Sequence, residues 1–137
     1  EQTFAGRKTV DFSEMSEWLS RAEAICATPH GQRSLAEVEL KIRDHSELKF
    51  VDLIDLIEGA LKTPVQAAVK REDEQEFARL NGENLMFCED AARKIKQVLL
   101  AKNEIADFKL RVNHVESLHP HDAVSVAVKG VAGGYTP

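Results

Sequence analysis

Hydrophobic side chains recur along the chain with two periods, one typical of helices and the other typical of strands. Apolar residues at helical spacing predict helices over residues 12–25, 50–61 and 84–102. Residues 65–83 are mostly polar and contain an Asn-Gly pair, which predicts turns with some helix. Residues 130–137 carry no periodic pattern, so we expect an irregular tail.

Strict alternation of apolar and polar residues predicts half-buried strands over residues 35–43, 107–113 and 123–128. In the second strand, the residues expected to face inward are Phe108, Leu110 and Val112. Only residues 114–122 separate the last two strands, so these should pair antiparallel. An antiparallel sheet with two long helices on one face is an α+β layer. Its second face and its edges lack cover, so we expect assembly with further sheets.

Composition places the chain among ordinary globular domains. Its 137 residues suit one domain, with 43% hydrophobic and 30% charged residues. A net charge of −5 argues against a broad nucleic-acid surface. No apolar run approaches the ~20 residues that cross a bilayer, so no membrane is expected. Two cysteines are too few for a disulfide framework, which fits a reducing cytoplasm. The chain begins with Glu1 rather than Met, so we expect further residues upstream.

The densest chemical signal lies between the last two predicted strands. His119 and His121 are two residues apart, and Glu116 precedes them. Along an extended chain the two histidines point to the same side. Imidazole and carboxylate groups are ordinary ligands for zinc, iron or manganese. The alternative is a polar turn whose histidines face water.

Two weaker signals precede this one. His30 stands in the loop before the first strand, and a loop histidine by itself is weak evidence of a site. The residues from Lys70 to Glu74 form a charge cluster, which by itself is typical of a solvated surface. Cys26 precedes His30 by four residues and could share a metal with it, although a lone cysteine at a helix end is commonly a small buried side chain. Cys88 lies on an apolar helical stripe and is expected in the core.

Taken together, these residues resemble the type IB GTP cyclohydrolase I family, the metal-dependent bacterial and archaeal enzymes. The resemblance covers about residues 28–128 and rests on motifs in the family's order. The matching segments are residues 30–34, 63–75, 81–93 and 116–121. The chain looks like the C-terminal half of such an enzyme.

The resemblance implies the tunnelling fold, in which antiparallel sheets with two helices on one face join into a barrel. We therefore expect a tunnelling-fold unit over residues 28–137, preceded by an N-terminal extension with a helix over residues 1–27. The resemblance also implies a homo-oligomer, expected to be a tetramer, in the cytoplasm. The implied hydrolase opens the guanine imidazole ring of GTP, releases formate and gives 7,8-dihydroneopterin triphosphate for folate synthesis. A missing half or a partner chain would complete it.

The resemblance also assigns residues to the site. His30, Glu74 and His119 would hold a divalent metal ion (zinc, manganese or iron), with Cys26 as the candidate for the fourth ligand. His121 would move protons, because imidazole exchanges them near neutral pH, and Glu116 would share the catalytic role. Either Glu89 or Glu116 would bind the guanine edge. The expected triphosphate ligands are Arg33, Lys70 and Arg71.

Two other interpretations stay open. A non-catalytic subunit could keep the fold and a purine or pterin pocket, because the loop upstream of His30 is short and half of the family's length is missing. A different tunnelling-fold enzyme could act on another pterin or a deazapurine, as a pterin synthase or nitrile reductase does. The histidine pair and the Gln32-Arg33-Ser34 motif favour the cyclohydrolase.

Overall fold

The computed structural model describes residues 4–21, 24, 33–63, 70–116 and 118–137, except for the side chains of Arg71, Glu72 and Gln75. In these residues the helices are α1 (Phe12–Leu19), α2 (Phe50–Leu61), α3 (Arg71–Glu83) and α4 (Cys88–Leu100). The strands are β1 (Ser34–Ile42), β2 (Ile105–His114) and β3 (Ala123–Val128). They form one antiparallel sheet in the order β1-β2-β3. The predicted α+β class is therefore confirmed.

The chain divides into two compact units. One contains α1 and α3, and the other contains the sheet, α2 and α4. The domain boundary expected after residue 27 stays a prediction. No helix in the described part of the chain is long and apolar enough to span a membrane.

The core of the sheet unit lies between the sheet and the helices α2 and α4. Phe108, Leu110 and Val112 of β2 are almost fully buried, as their alternation predicted. The apolar stripe of α4, including Ile95 and Leu99, covers them. Leu53 of α2 is also buried in this core. Burial of such side chains contributes roughly 1.5–3 kcal/mol each, so this layer is the main source of the unit's stability.

The opposite face of the sheet is open over most of its area. Its centre is polar, and Arg111 forms an ion pair with Glu37 across β1 and β2 at 3.0 Å. Toward the β3 edge it becomes apolar, since Val124 and Val126 keep 45% and 40% of their surface exposed. These two valines pair with Asn113 and Arg111, which fixes them on the open face.

The C-terminal residues fold back over one end of this open face. The Asp107 carboxylate accepts hydrogen bonds from the backbone N–H of Tyr135 at 2.8 Å and of Phe108 at 2.9 Å. The Lys41 ammonium group lies 4.9 Å from the centre of the Tyr135 ring. These contacts bury Asp107 on a face that otherwise meets solvent. The tail is irregular, as expected, but it is held in place by specific contacts.

The unit of α1 and α3 depends more on polar contacts. Asp11 caps α1 by accepting the Ser13 N–H at 2.9 Å. The Glu14 carboxylate in the first turn of α1 binds Arg7 at 2.6 Å. In α3, Arg79 pairs with Glu76 and Glu83.

Three helices differ from their predictions. Helix α1 ends at Leu19 rather than continuing to residue 25, because Ser20 closes it. Residues 71–83, for which the sequence predicted turns with some helix, form one continuous helix, α3. This helix is too polar to show a strong apolar period and gains i,i+3 and i,i+4 ion pairs instead. Helix α4 begins at Cys88 rather than at residue 84, because the Asp90 carboxylate accepts the Phe87 N–H and fixes the first turn there.

Candidate active site

The two histidines predicted to act together lie on the loop between β2 and β3. This loop begins after His114 and ends before Ala123. The rings of His119 and His121 are stacked, with their centroids 5.8 Å apart and their planes 23° apart. Both side chains are exposed. The i,i+2 spacing therefore does bring the imidazoles to the same side of the loop.

A carboxylate that the sequence analysis did not select organises this loop. Asp122 Oδ1 accepts the backbone N–H of Glu116 at 3.1 Å, and Oδ2 accepts Asn113 Nδ2 at 3.2 Å. Glu116 itself is half-buried at the start of the loop. A pattern of nearby polar residues could have suggested this role only once the strand ends were known.

Arg33 lies beside the same loop. It precedes β1, and its carbonyl oxygen accepts the Val115 N–H at 2.9 Å. This bond extends the β1–β2 ladder by one step past the Ser34 and His114 pair. Its exposed side chain therefore belongs to the end of the sheet that carries Glu116, His119 and His121.

The sequence analysis did not identify His114, a further histidine near the loop. His114 ends β2 and is only 6% exposed. The alternation through Phe108, Leu110 and Val112 continues to this residue, so its inward orientation could have been found by extending the predicted strand. It places an imidazole in the covered layer directly before the histidine loop.

The N-terminus of α4 points toward this end of the sheet. Residues 101–104 link α4 to β2, and the two elements pack together, so they run in opposite directions. Glu89 lies in the first turn of α4 with an exposed side chain. Its Oε2 accepts a hydrogen bond from the buried Cys88 thiol at 3.3 Å. Cys88 is thus a core residue, as predicted, with its polar atom directed at Glu89.

These contacts shift the pKa values of Cys88 and Glu89 in opposite directions. The pKa of Glu89 is held below its ordinary value, chiefly by the backbone N–H of Glu89 itself and secondarily by the Cys88 thiol. Burial raises the pKa of Cys88, and the neighbouring Glu89 raises it further. At neutral pH the pair is therefore a thiol donor and an ionised carboxylate whose remaining lone pairs can accept hydrogen bonds.

Some of the remaining predicted site residues belong to the other compact unit, and two lie outside the described residues. Glu74 is exposed on α3, and Lys70 is the exposed residue that precedes this helix. The backbone of Arg71 opens α3. Cys26 and His30 lie outside the described residues. Within the ranges that the structure describes, no three His, Cys, Asp or Glu side chains form a group that could hold a metal ion.

Comparison with known proteins gives a consistent result. A family model described as type I GTP cyclohydrolase folE2 matches residues 12–125. The GTP cyclohydrolase FolE2 of Hydrogenovibrio crunogenus is 56% identical over 99% of this chain and 43% of its own length. That of Pseudoalteromonas translucida is 60% identical over 94% of this chain and 43% of its own length. The GTP cyclohydrolase FolE2 of Bdellovibrio bacteriovorus is 52% identical over 95% of this chain and 42% of its own length.

The match therefore covers nearly all of the chain but less than half of each relative, since the chain spans about 43% of their length. The family model alone matches well over half of the chain, and it includes the histidine loop up to residue 125. The chain belongs to the type I GTP cyclohydrolase folE2 family.

Proposed function

We propose that this chain supplies part of a GTP cyclohydrolase I, which hydrolyses the guanine imidazole ring of GTP and releases formate. The product would be 7,8-dihydroneopterin triphosphate, a precursor in folate synthesis. The observation that carries the proposal is the stacked pair His119 and His121 on a tied loop in a chain of this family. Because the relatives are more than twice as long, the activity is assigned to the whole protein.

We further propose that the sheet unit is a tunnelling-fold module that assembles into a barrel within a cytoplasmic homo-oligomer, expected to be a tetramer. The support is architectural. The sheet has helices on one face only, and β1 and β3 are edge strands in the described chain. Edge strands present unpaired backbone groups that can join another sheet.

His30, Glu74 and His119 are the proposed ligands of a divalent metal ion, and Cys26 is the candidate for a fourth. The described members offer suitable donor atoms, because His119 exposes an imidazole and Glu74 exposes a carboxylate. Zinc, manganese and iron all accept this donor set. When bound, such an ion would activate water for attack at C8 of the guanine.

Glu89 is the better supported of the two candidates for guanine recognition. An ionised carboxylate can accept two N–H bonds, and guanine offers N1–H and its 2-amino group on one edge. Glu89 is ionised at neutral pH and exposed, and the Cys88 thiol restricts one of its oxygens. Glu116 is the alternative, with a catalytic role if Glu89 binds the purine.

His121 is proposed to transfer protons as the imidazole ring opens. It is exposed and stacks on His119, so a substrate bound at His119 would lie within its reach. Arg33 lies at the same end of the sheet and can bind a phosphate. Lys70 and Arg71 complete the proposed triphosphate ligands.

The test is formate release from GTP, measured with the full-length protein that contains this chain. We expect formate with added Mn²⁺ and its loss with a chelator. His119→Asn should lower kcat/KM by at least about a hundredfold. His45→Asn is the matched control, because His45 is exposed in a turn with φ 62° and asparagine tolerates that conformation.

Two results would contradict the proposal. If the folded, assembled protein releases no formate from GTP under any metal condition, this chain does not belong to an active cyclohydrolase. Binding of GTP without turnover would then support the non-catalytic purine-binding subunit. If His119→Asn and His45→Asn retain equal activity, His119 is not in the site.

A further inference from the structure

We propose that Asp122 is a positioning residue for the histidine loop and that Asn113 is its anchor on β2. Asp122 would act by holding the loop so that His119 and His121 keep one relative orientation. The inference rests on the proposed function, in which these two imidazoles bind a metal ion and transfer protons. It concerns a residue pair that neither binds the metal nor touches the substrate in that proposal.

The geometry shows one carboxylate joining three parts of the chain. One oxygen accepts the Glu116 N–H at 3.1 Å and the other accepts Asn113 Nδ2 at 3.2 Å. Asn113 is the second-last residue of β2, Glu116 lies in the first part of the loop, and Asp122 lies directly before β3. The two bonds close the loop across nine and six residues, respectively.

The described loop residues offer little packing that could replace the bonds of Asp122. Leu118 is 68% exposed, and both histidines and Pro120 are exposed as well. A segment without buried apolar contacts keeps its conformation through hydrogen bonds, because little hydrophobic burial opposes the entropy of its alternative conformations. The Asp122 carboxylate supplies two such bonds at the base of the loop.

The side-chain amide of Asn113 can bind the ionised Asp122 in only one of its two flipped orientations. A carboxylate accepts hydrogen bonds and does not donate them when ionised, so the Asn113 amide must direct its NH₂ at Asp122. Its Oδ1 is buried and, within the described residues, has no hydrogen-bond partner. The residue therefore tolerates an unsatisfied acceptor while it maintains the bond to Asp122, which is the arrangement expected of an anchor.

The sheet does not need this carboxylate for its own pairing. The β2–β3 ladder ends with the pairs Asn113 with Val124 and His114 with Ala123, and its pairing is between backbone groups, whereas Asp122 binds the side chain of Asn113. Loss of the carboxylate should therefore disturb the loop and leave the strands paired. This separates a positioning role from a general role in stability.

The experiment compares the full chain with four variants: Asp122→Ala, Asp122→Asn, Asn113→Asp, and the double variant Asn113→Asp/Asp122→Asn. Asp122→Ala removes both bonds. Asn113→Asp sets two carboxylates against each other, and the double variant restores a donor facing an acceptor. Asp122→Asn keeps an acceptor for Glu116, and the Asn113 amide can turn to accept from the new NH₂.

The primary readout uses no metal. Ring-proton NMR signals and contacts between the rings of His119 and His121 report their relative orientation, and backbone relaxation reports loop mobility. We expect Asp122→Ala and Asn113→Asp to weaken the ring–ring contact and raise loop mobility, whereas Asp122→Asn and the double variant stay close to the parent. Unchanged ring signals in Asp122→Ala would overturn the inference.

The second readout is the affinity for Mn²⁺, followed by its paramagnetic broadening of the His119 and His121 signals in the full-length protein. Removing a residue that orients a ligand commonly weakens metal binding 10–100-fold, so we expect a loss of that order for Asp122→Ala. Ile95→Val is the control, because Ile95 is fully buried in the core, so the variant should lower stability without removing a bond of the loop. An equal loss of affinity in Ile95→Val would overturn the positioning role.

The two proposals fail in different ways. If Mn²⁺ broadens no histidine signal in the parent protein, the proposed metal site is wrong, and the metal-free ring contacts still decide the role of Asp122. If Mn²⁺ binds at His119 with the same affinity in the parent and in Asp122→Ala, the metal site stands and the positioning role is rejected.

Discussion

Gly134 lies so close to β2 that its lack of a side chain determines how the C-terminal residues can pack. A Cβ atom at this position would clash with the Asp107 carboxylate and also lie 3.0 Å from the Val131 carbonyl oxygen. Asp107 cannot easily move aside, because it is buried and accepts two backbone hydrogen bonds. The requirement for glycine here is steric, since its φ is not in the left-handed region.

We therefore expect Gly134→Ala to lower the free energy of unfolding by about 1–3 kcal/mol, the usual cost of overpacking. Gly59→Ala is the matched control. Gly59 lies in the last turn of α2 with no atom within 4 Å of an added Cβ, so alanine should raise the free energy of unfolding by up to about 1 kcal/mol. Urea denaturation measures both values. Effects of the same sign would contradict the steric account.

At the scale of a single element, α4 connects the core with the candidate site. Its buried stripe packs on the sheet, and its first turn carries Cys88 and Glu89. Displacement of the helix along its axis would thus move Glu89 relative to the histidine loop. Two of its features, the packing of the stripe and the fixing of the first turn, can be tested separately.

Packing is tested by two adjacent leucines on α4. Leu99 is fully buried, whereas Leu100 keeps 44% of its surface exposed. Leu99→Ala should lower the free energy of unfolding by about 2–5 kcal/mol, because it removes transfer free energy and leaves a cavity. Leu100→Ala should change it by about 1 kcal/mol or less. Equal losses in chemical denaturation would show that α4 does not pack on the sheet through this stripe.

The first turn of α4 gives a pH-dependent prediction. The Phe87 N–H, and secondarily Arg93, hold the pKa of Asp90 below its ordinary value. A group with a lowered folded pKa stabilises the protein above its unfolded pKa, near 4, and this contribution disappears as the pH falls through the folded pKa. Asp90→Ala should therefore lower the melting temperature at pH 7, with a difference from the parent that shrinks below about pH 4.

The control for this experiment is Gln97→Ala, an uncharged exposed residue on the same helix. Its difference in melting temperature from the parent should not vary with pH. An Asp90→Ala difference that remained constant from pH 7 to pH 3 would mean that the ionised carboxylate does not stabilise the first turn.

The elements that the sequence predicts well are those whose burial follows a single period. Residues 50–61 and 123–128 were predicted with their exact bounds, and the inward residues of β2 were correct. Helix α3 could not be found in this way, because Arg79 stabilises it through ion pairs that leave no apolar period. In the same way, spacing placed His119 beside His121, but no local pattern shows that Asp122 reaches Asn113 nine residues away.

At the scale of the whole molecule, the sheet ends at β3 with backbone groups directed outward. The Lys129 N–H donates to the Phe108 carbonyl at 3.1 Å, so this pair is hydrogen-bonded. Hydrogen-bonded and non-bonded pairs alternate in an antiparallel ladder, which directs the N–H groups of Val124, Val126 and Val128 away from β2. These groups are free to pair with a further strand within the proposed barrel.

Val126→Pro tests whether this edge is used. Proline removes an outward N–H and is tolerated in edge strands, so the unit should stay folded while association weakens about tenfold or more. Ala127→Pro is the control, because it removes an N–H directed at β2 and should destabilise the sheet itself. Sedimentation velocity and melting temperature separate the two effects. Unchanged association of folded Val126→Pro would exclude the β3 edge as a contact between subunits.

The C-terminal residues also make the two ends of the sheet unequal. After β3 the chain contacts Asp107 of β2 through the Tyr135 N–H, and the Tyr135 ring contacts Lys41 of β1. The C-terminal residues therefore extend from β3 across β2 to β1. Asp107 and His114 are seven residues apart on β2, so the end covered by the C-terminal residues lies about 23 Å from the histidine loop. Strand ends normally fray, and at the Asp107 end the hydrogen bond to Tyr135 and the contact of Lys41 with the Tyr135 ring oppose this. Amide hydrogen exchange should therefore be slow near Asp107, and the movements that accompany the proposed ligand binding are expected at the other end, which carries the histidines.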